Sequence, residues 1–120
     1  MTGNVSWVIE LAVKDGALGT FKALMEEMVA GTSDEPLSLG YEWYISDDEG
    51  TIHIFEKYAD SDAMINHVNG FLAKWAGRFL ECVDVTRFVV YGDPSPEARE
   101  LLAGFGPTYL GPWGGFSRFA

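Results

Sequence analysis

Residues 37–67 read LSLGYEWYIS, DDEG, TIHIFEKY and ADSDAMINH in turn, and this stretch decides the fold of the chain. The first and third segments alternate in polarity and are rich in aromatic and β-branched residues, which is typical of two β-strands. The segment DDEG is polar and ends in glycine, as in a four-residue hairpin loop. Asp60 or Ser61 can cap a helix over the last segment. We therefore predict a β-hairpin followed by a helix.

The predicted hairpin sets pairs of residues opposite each other. The pairs are Ile45 with Ile52, Trp43 with Ile54, Tyr41 with Glu56, and Leu39 with Tyr58. Because side chains alternate along a strand, these eight residues share one face of the sheet. The opposite face carries Glu42, Tyr44, His53, Phe55 and Lys57. Glu56 is a carboxylate among apolar and aromatic neighbours, so it is the first candidate for chemistry.

The flanking segments supply the remaining elements. Residues 5–13 and 83–91 alternate as strands, and residues 17–30 carry apolar side chains at the three- and four-residue spacing of an amphipathic helix. Asp15 is a candidate cap for that helix, and Gly31 is predicted to end it. Gly70 is predicted to kink or divide the second helix. Ser95 and Pro96 begin a short helix, PEARELLAGFG, and an aromatic tail, PTYLGPWGGFSRF, follows it.

The order β-α-β-β-α-β is that of a ferredoxin-like α+β domain. We predict a single domain over residues 1–120, with a core at 1–92 and a C-terminal extension of helix and aromatic tail at 93–120. One antiparallel sheet would carry both main helices on one face. The residues expected on its bare face are Val8, Ala12, Tyr44, Phe55, Phe88 and Val90. Because an exposed apolar sheet face usually finds a partner, we expect a homodimer made sheet to sheet.

Composition restricts the partners of the chain. Its 120 residues are 48% hydrophobic, which is ample for one core, and the net charge of −10 opposes binding to nucleic acid or to an anionic membrane surface. Cys82 is the only cysteine, which leaves no internal disulfide and no cysteine metal cluster. No apolar run reaches the roughly 18 residues of a membrane span, and the first residues lack the features of a signal peptide. We expect a cytoplasmic protein.

A spaced set of four residues carries a family resemblance. Glu56 is followed after one residue by Tyr58, then after five positions by Ala63 and after four more by His67. In this pattern, and in its C-terminal run, the chain resembles the antibiotic biosynthesis monooxygenase-like family of dimeric α+β barrels. The resemblance covers nearly the whole chain and implies a pocket in each subunit between helices and sheet. Since the family includes cofactor-free oxygenases, heme-degrading enzymes and isomerases, it leaves the reaction open.

The resemblance implies a particular chemistry for the pocket. Cofactor-free members oxidise electron-rich phenols or quinols with molecular oxygen, and the deprotonated substrate supplies the electrons. We therefore predict a cofactor-independent monooxygenase of a small aromatic or quinol-like substrate, with no cofactor and no metal. His67 is the candidate base and Glu56 would orient it. The candidate substrate-binding residues are Tyr41, Trp43, Tyr58, Asn66, Phe71, Trp75 and Arg87, with Trp7 and Phe21 as further stacking surfaces.

Other interpretations of these residues stay open. A pair of His67 and Glu56 would serve equally well to hold the helix on the sheet. A non-catalytic dimeric module for an apolar ligand or a protein partner needs the same pocket without a base, and a base-catalysed isomerase needs the base without oxygen. Heme is disfavoured because, of the three residues that the heme-degrading branch uses, only the histidine has a counterpart here.

Two placements also have alternatives. By alternation Arg87 lies on the helix side, where an unpaired charge is costly, but a register shift of one residue would send it to the bare face. The tail either packs across a partner subunit as a dimer lock or covers the pocket as a lid hinged at its two glycines.

Overall fold

The main strands and helices of the chain follow the order predicted from its sequence. The structure is a computed structural model and describes residues 3–118. The elements are β1 (Val5–Val13), α1 (Leu18–Ser33), β2 (Ser38–Ile45), β3 (Thr51–Tyr58), α2 (Ser61–Lys74), α3 (Ala76–Cys82), β4 (Val83–Tyr91), α4 (Pro96–Leu102), a 3₁₀ turn (Ala103–Phe105) and β5 (Thr108–Leu110). The predicted α+β class is confirmed, and α3 and β5 are additions to it.

The strands form one sheet in the order β2-β3-β1-β4-β5. The first four are antiparallel neighbours, as in the ferredoxin-like fold. β5 is parallel to β4, and Tyr109 pairs with Val90. The prediction of a wholly antiparallel sheet therefore holds for β1 to β4 only, because the first part of the aromatic tail adds a parallel edge strand. Phe119, at the end of that tail, lies outside the described residues.

The hairpin register is confirmed over most of its length. Trp43 pairs with Ile54 and Tyr41 with Glu56, as predicted. The register shifts between Ser38 and Gly40, so that Ser38 rather than Leu39 lies opposite Tyr58. A β-bulge inserts one residue and interrupts the alternation of side chains. Leu39 is consequently 49% exposed and belongs to neither core nor pocket.

A second irregularity reverses the faces of β4. β1 pairs Leu11 with Val85 but Glu10 with Arg87, which leaves Thr86 without a partner in the ladder. Beyond this bulge, Phe88 and Val90 turn toward the helices and are buried, while Arg87 turns to the other face. The predicted placements of these three residues were wrong, because alternation from Val83 assumed an unbroken strand.

Trp75, rather than a glycine, marks the break in the second helical segment. α2 runs through Gly70 to Lys74, and α3 begins after Trp75. α1 likewise continues past Gly31 to Ser33. A Cβ atom at Gly31 would lie 2.8 Å from the Trp75 ring. Gly31 therefore makes room for a buried indole between helices, and the prediction that it ends α1 was wrong.

Two of the three predicted helix caps are observed. The Asp60 side chain accepts a hydrogen bond from the Ala63 backbone at 2.8 Å, and Ser95 caps α4 through the Ala98 N–H at 3.2 Å. Both predictions are confirmed. Asp15 does not cap α1, whose N-cap is Ala17 with no side-chain bond.

None of the helices in residues 3–118 is long and apolar enough to cross a membrane.

Candidate active site

Few polar side chains lie in the core between the sheet and the helices. Within the described part of the chain, Thr32, Glu56 and His67 are the buried polar or charged residues. Burying a charge is costly unless it is paired and hydrogen-bonded. The hydrogen-bond and ion-pair partners of these residues therefore mark the polar part of the core, where a functional site is expected.

His67 lies between two carboxylates. It shares the buried face of α2 with Ala63, Met64 and Val68, and is only 3% exposed. Its Nδ1 is 2.9 Å from Oε1 of Glu35, and its Nε2 is 3.4 Å from Oε1 of Glu56. Both ring nitrogens are therefore occupied by acidic partners, which orient the imidazole and favour its protonated form.

Glu56 reaches the same point from the sheet. The alternation of β3 turns Ile54, Glu56 and Tyr58 inward. The Tyr58 hydroxyl donates a short hydrogen bond to Oε1 of Glu56, the oxygen that also faces His67. The second oxygen, Oε2, has no hydrogen-bond partner among residues 3–118. Glu56 thus has one satisfied oxygen and one free oxygen.

The pKa shifts of the surrounding groups have clear causes. Burial lowers the pKa of His67, but the hydrogen bonds and charges of Glu56 and Glu35 together outweigh it, so the pKa lies above its usual 6.5. Burial and then the charge of Glu56 raise the pKa of both Tyr41 and Tyr58 above 10.0. The two phenols therefore remain protonated at neutral pH and act as hydrogen-bond donors.

Glu35 is the site residue that sequence reasoning missed. It lies in the loop between α1 and β2, where its N–H donates to the Thr32 carbonyl at 2.9 Å and its Oε1 accepts from the Ser38 hydroxyl at 2.8 Å. The segment TSDEP reads as an ordinary polar loop. Its local sequence gives no signal of this role, because Glu35 meets His67 only through the pairing of β2 in the sheet and the packing of α2.

A cavity of about 50 Å3 touches both His67 and Glu56. Tyr41 and Phe71 also line it, and the rest of the wall is almost wholly apolar. Other wall residues are Trp7, Met28, Val85, Phe88, Leu102 and Phe105. An apolar hollow with a few convergent polar groups is the usual form of a small-molecule site. Since a buried water needs about 10–15 Å3, this one holds only a few waters unless side chains move.

The structure brings together most, but not all, of the predicted site. Tyr41, Glu56, His67, Phe71 and the further stacking candidate Trp7 line the cavity. Tyr58 lies directly behind Glu56, with its ring centroid 5.2 Å from that of His67. The hollow between helix and hairpin, on which the catalytic interpretation depends, is present.

Four of the predicted substrate-binding residues lie elsewhere. Trp43 lines a separate groove of about 200 Å3 with Phe21. Asn66 is exposed. It is the residue before His67 on α2, and because neighbouring residues of a helix point in different directions, it lies away from the buried face that His67 occupies. Trp75 is buried against α1 and donates to Glu27 at 2.8 Å. Arg87 is on the outer face, 3.5 Å from Glu10.

These features define a ferredoxin-like α+β domain with an acid–base cluster on an apolar cavity. The chain belongs to the antibiotic biosynthesis monooxygenase family, whose family model matches residues 5–75. The resemblance seen in the sequence is therefore confirmed. No curated protein matches the chain significantly in sequence.

Solved structures extend the likeness in fold. MupZ from Pseudomonas fluorescens has a TM-score of 0.82 at 22% identity, over 97% of this chain and 95% of that one. SnoaB, a cofactor-independent oxygenase from Streptomyces nogalater, has a TM-score of 0.65 at 16% identity, over 78% and 96%. Rv0793 from Mycobacterium tuberculosis has 0.65 at 22% identity, over 77% and 96%. The match to MupZ includes the C-terminal extension, which the family model leaves out.

Proposed function

We propose that the chain is a cofactor-independent monooxygenase that acts on a small aromatic or quinol-like substrate bound between sheet and helices. The observation that carries the proposal is the joint position of His67 and Glu56 on the wall of one apolar cavity. Family membership supports it, as does the fold shared with SnoaB, which is itself a cofactor-independent oxygenase.

The proposal assigns the role of base to Glu56 rather than to His67. Both nitrogens of His67 already lie beside carboxylates, whereas Oε2 of Glu56 has no hydrogen-bond partner in the described part of the chain. Glu56 would take the phenolic proton, while the positive imidazole between Glu35 and Glu56 offsets part of the charge of the two acids. Deprotonation makes the substrate a stronger reductant toward oxygen. The substrate supplies all the electrons, one oxygen atom enters it, and the other leaves as water.

The walls would contribute by excluding water and by fitting a flat ring. Phe71 and Phe88 offer faces for stacking, and a dry cavity protects a reactive intermediate from side reactions. A substrate ring is larger than the cavity, so binding must displace part of the wall. We assign this movement to Phe105, in the 3₁₀ turn that follows α4. In this proposal the C-terminal extension forms a movable side of the pocket.

Oxygen uptake with a panel of hydroquinones and naphthols tests the proposal. We expect uptake by the wild-type protein and a loss of roughly 10²- to 10⁴-fold in Glu56→Gln, since that is the usual contribution of a general base. Glu42→Gln is the matched control, because Glu42 is an exposed glutamate of the same sheet. Uptake that no substrate elicits, or that Glu56→Gln leaves unchanged, would refute it.

A base-catalysed isomerase of a small metabolite is the second candidate. The titratable groups on the cavity wall, Glu56, His67 and Tyr41, are suited to proton transfer and hydrogen bonding, and proton transfer alone needs no oxygen. Turnover that persists under anaerobic conditions and depends on Glu56 would favour this candidate. Ligand binding without any turnover would instead indicate the non-catalytic module.

We also propose a cytoplasmic homodimer formed through the outer face of the sheet. Val8, Ala12 and Phe55 are half-buried there, and Tyr44 is 56% exposed. Trp113 of the tail has its whole side chain in solvent, which fits a contact with a second subunit. The buried, unpaired Cys82 fits a reducing compartment. Sedimentation that gives a monomer at micromolar concentration would contradict the dimer.

A further inference from the structure

The last described part of the C-terminal tail, residues 111–118, lies wholly in solvent. Every residue of this segment is exposed; Trp113 is 101% exposed and Phe116 is 78% exposed. A Cβ atom added at Gly114 or Gly115 would meet no atom within 4 Å, so the backbone also stands clear of the domain. Large aromatic side chains grouped on an exposed surface mark an interaction site more often than chance. The segment therefore has the character of a docking segment.

The exposed segment does not close the acid–base site. None of residues 111–118 lines the cavity that His67 and Glu56 share. The charged side chain of the segment is Arg118, whose guanidinium carbon lies 4.4 Å from the centre of the Phe116 ring. The segment thus presents two aromatic rings and one positive charge. A complementary surface is apolar and has acidic groups at its edge.

The groove that Phe21 and Trp43 line has an apolar wall of this kind. It has a volume of about 200 Å3 and lies between the first turns of α1 and the end of the β2–β3 hairpin. Ile45 on its edge is 52% exposed. The other lining residues are Leu18, Lys22, Met25, Tyr44, Glu49 and Ile52. The rings of Phe21 and Trp43 offer faces and edges against which a further aromatic side chain can pack.

The charge at the edge of this groove is also complementary to the exposed segment. The hairpin turn beside the groove contains Asp47, Asp48 and Glu49, all exposed, and Glu49 lines the groove itself. These three acids outnumber Lys22, the one basic residue of the lining. A guanidinium such as that of Arg118 is attracted to carboxylates at the rim of an interface.

The sheet order places the exposed segment and the groove at opposite edges of the same subunit. The segment follows β5, whereas the groove lies beside β2, four strand spacings or roughly 19 Å away. Trp113 is three residues beyond Leu110, the end of β5, and three residues span at most about 11 Å. The backbone of Trp113 therefore does not reach the groove of its own subunit. In two sheets stacked face to face about a two-fold axis along the strands, β5 of one subunit lies over β2 of the other.

We propose that residues 111–118 dock in the groove between α1 and the hairpin of a second copy of this chain, with an aromatic ring against Phe21 and Trp43 and with Arg118 beside the acidic turn. Two such contacts form in each dimer, because a two-fold axis repeats every contact. The inference rests on the proposed homodimer and identifies a docking surface outside the sheet face.

Sedimentation equilibrium on full-length chains, without substrate, tests the docking. Trp113→Ala removes the docking side chain, and Ile45→Lys places a positive charge in the groove. Both positions are exposed, so neither change removes core packing. Leu72→Lys is the matched control for the added charge, because Leu72 is 44% exposed on α2 and is not among the residues of the groove. The two variants are measured separately and as an equimolar mixture.

We expect each contact to contribute roughly 10-fold to the affinity, as for a well-packed aromatic anchor. Each variant alone loses both contacts, so its dimer dissociation constant should rise by roughly 100-fold, whereas Leu72→Lys should leave the constant unchanged. The mixed dimer keeps one intact segment and one intact groove, so its constant should rise by only roughly 10-fold.

Three results would overturn the inference. They are a dimer that Trp113→Ala or Ile45→Lys does not weaken, a mixed dimer no tighter than the two variants alone, and a wild-type chain that stays monomeric. The first two leave the dimer through the sheet face standing, and only the third refutes it as well. Oxygen uptake does not enter the measurement, so the outcome is independent of the proposed oxygenase.

Discussion

Oε1 of Glu35 lies 2.9 Å from Nδ1 of His67, although the two residues are 32 positions apart in the sequence. The contact joins the loop ahead of β2 to the middle of α2. Together with Glu56 on the other nitrogen, it fixes the imidazole ring from both sides. The orientation of the His67 ring beside Glu56 is thus set by two carboxylates. Such preorganisation of polar groups is what an acid–base site requires.

Replacing Glu35 by glutamine should lower the pKa of His67. The change keeps a side chain of similar shape but removes one of the two charges that hold the pKa above its usual 6.5. Titration of the imidazole proton resonances by NMR measures the effect. Glu26→Gln, on the exposed side of α1, is the control and should leave the titration unaltered. If the pKa of His67 does not fall in Glu35→Gln, the charge of Glu35 does not raise that pKa.

The stabilising effect of His67 should depend on pH in a definite direction. Because its pKa is raised in the folded protein, the folded state binds the proton more tightly than the unfolded state does. The stabilisation is therefore complete below pH 6.5, the unfolded value, and is lost as the pH rises through the folded value. Urea denaturation at a series of pH values should show the free energy of unfolding of wild type, relative to His67→Gln, decreasing over that window. An increase with pH would contradict the assigned charge state.

The bulge in β4 predicts opposite outcomes for two neighbouring residues. Phe88 is buried with its ring centroid 5.3 Å from that of Trp7, so Phe88→Ala should lower the free energy of unfolding by about 3–5 kcal/mol. The side chain of Arg87 is 67% exposed, so Arg87→Ala should change it by no more than about 0.5 kcal/mol. Thermal or denaturant unfolding measures both. A regular alternation from Val83 predicts the reverse order.

Two glycines of α1 should respond oppositely to alanine. Alanine is the better helix former by about 1 kcal/mol, and at Gly19 nothing lies within 4 Å of the added Cβ, so Gly19→Ala should be neutral or stabilising. At Gly31 the added Cβ meets the Trp75 ring at 2.8 Å, and that ring is buried. Gly31→Ala should therefore lower the free energy of unfolding by about 1–3 kcal/mol. Equal effects at the two positions, measured by denaturation, would show that Trp75 does not need the space.

Much of the fold and half of the site were readable from sequence. The alternation of β3 determined that Glu56 faces inward, and the helical period determined that His67 lies on the buried side of α2. Asp60 and Ser95 predicted the starts of α2 and α4, because their side chains can accept hydrogen bonds from the first backbone N–H groups of a helix. Each of these features depends only on residues close together in the sequence, either through the periodicity of side chains along a strand or helix or through a local hydrogen bond.

The remaining features depend on contacts between distant segments. The bulges at Leu39 and Thr86 arise where one strand meets its neighbour, and each reverses the faces that alternation alone would assign. Gly31 has its role only because Trp75 packs against it, and Glu35 reaches the site only because β2 brings its loop to α2. The sequence by itself determined the elements and the two central titratable groups, through local periodicity. Tertiary structure alone decided which further side chains meet them, because that depends on strand register and on packing between elements far apart in the chain.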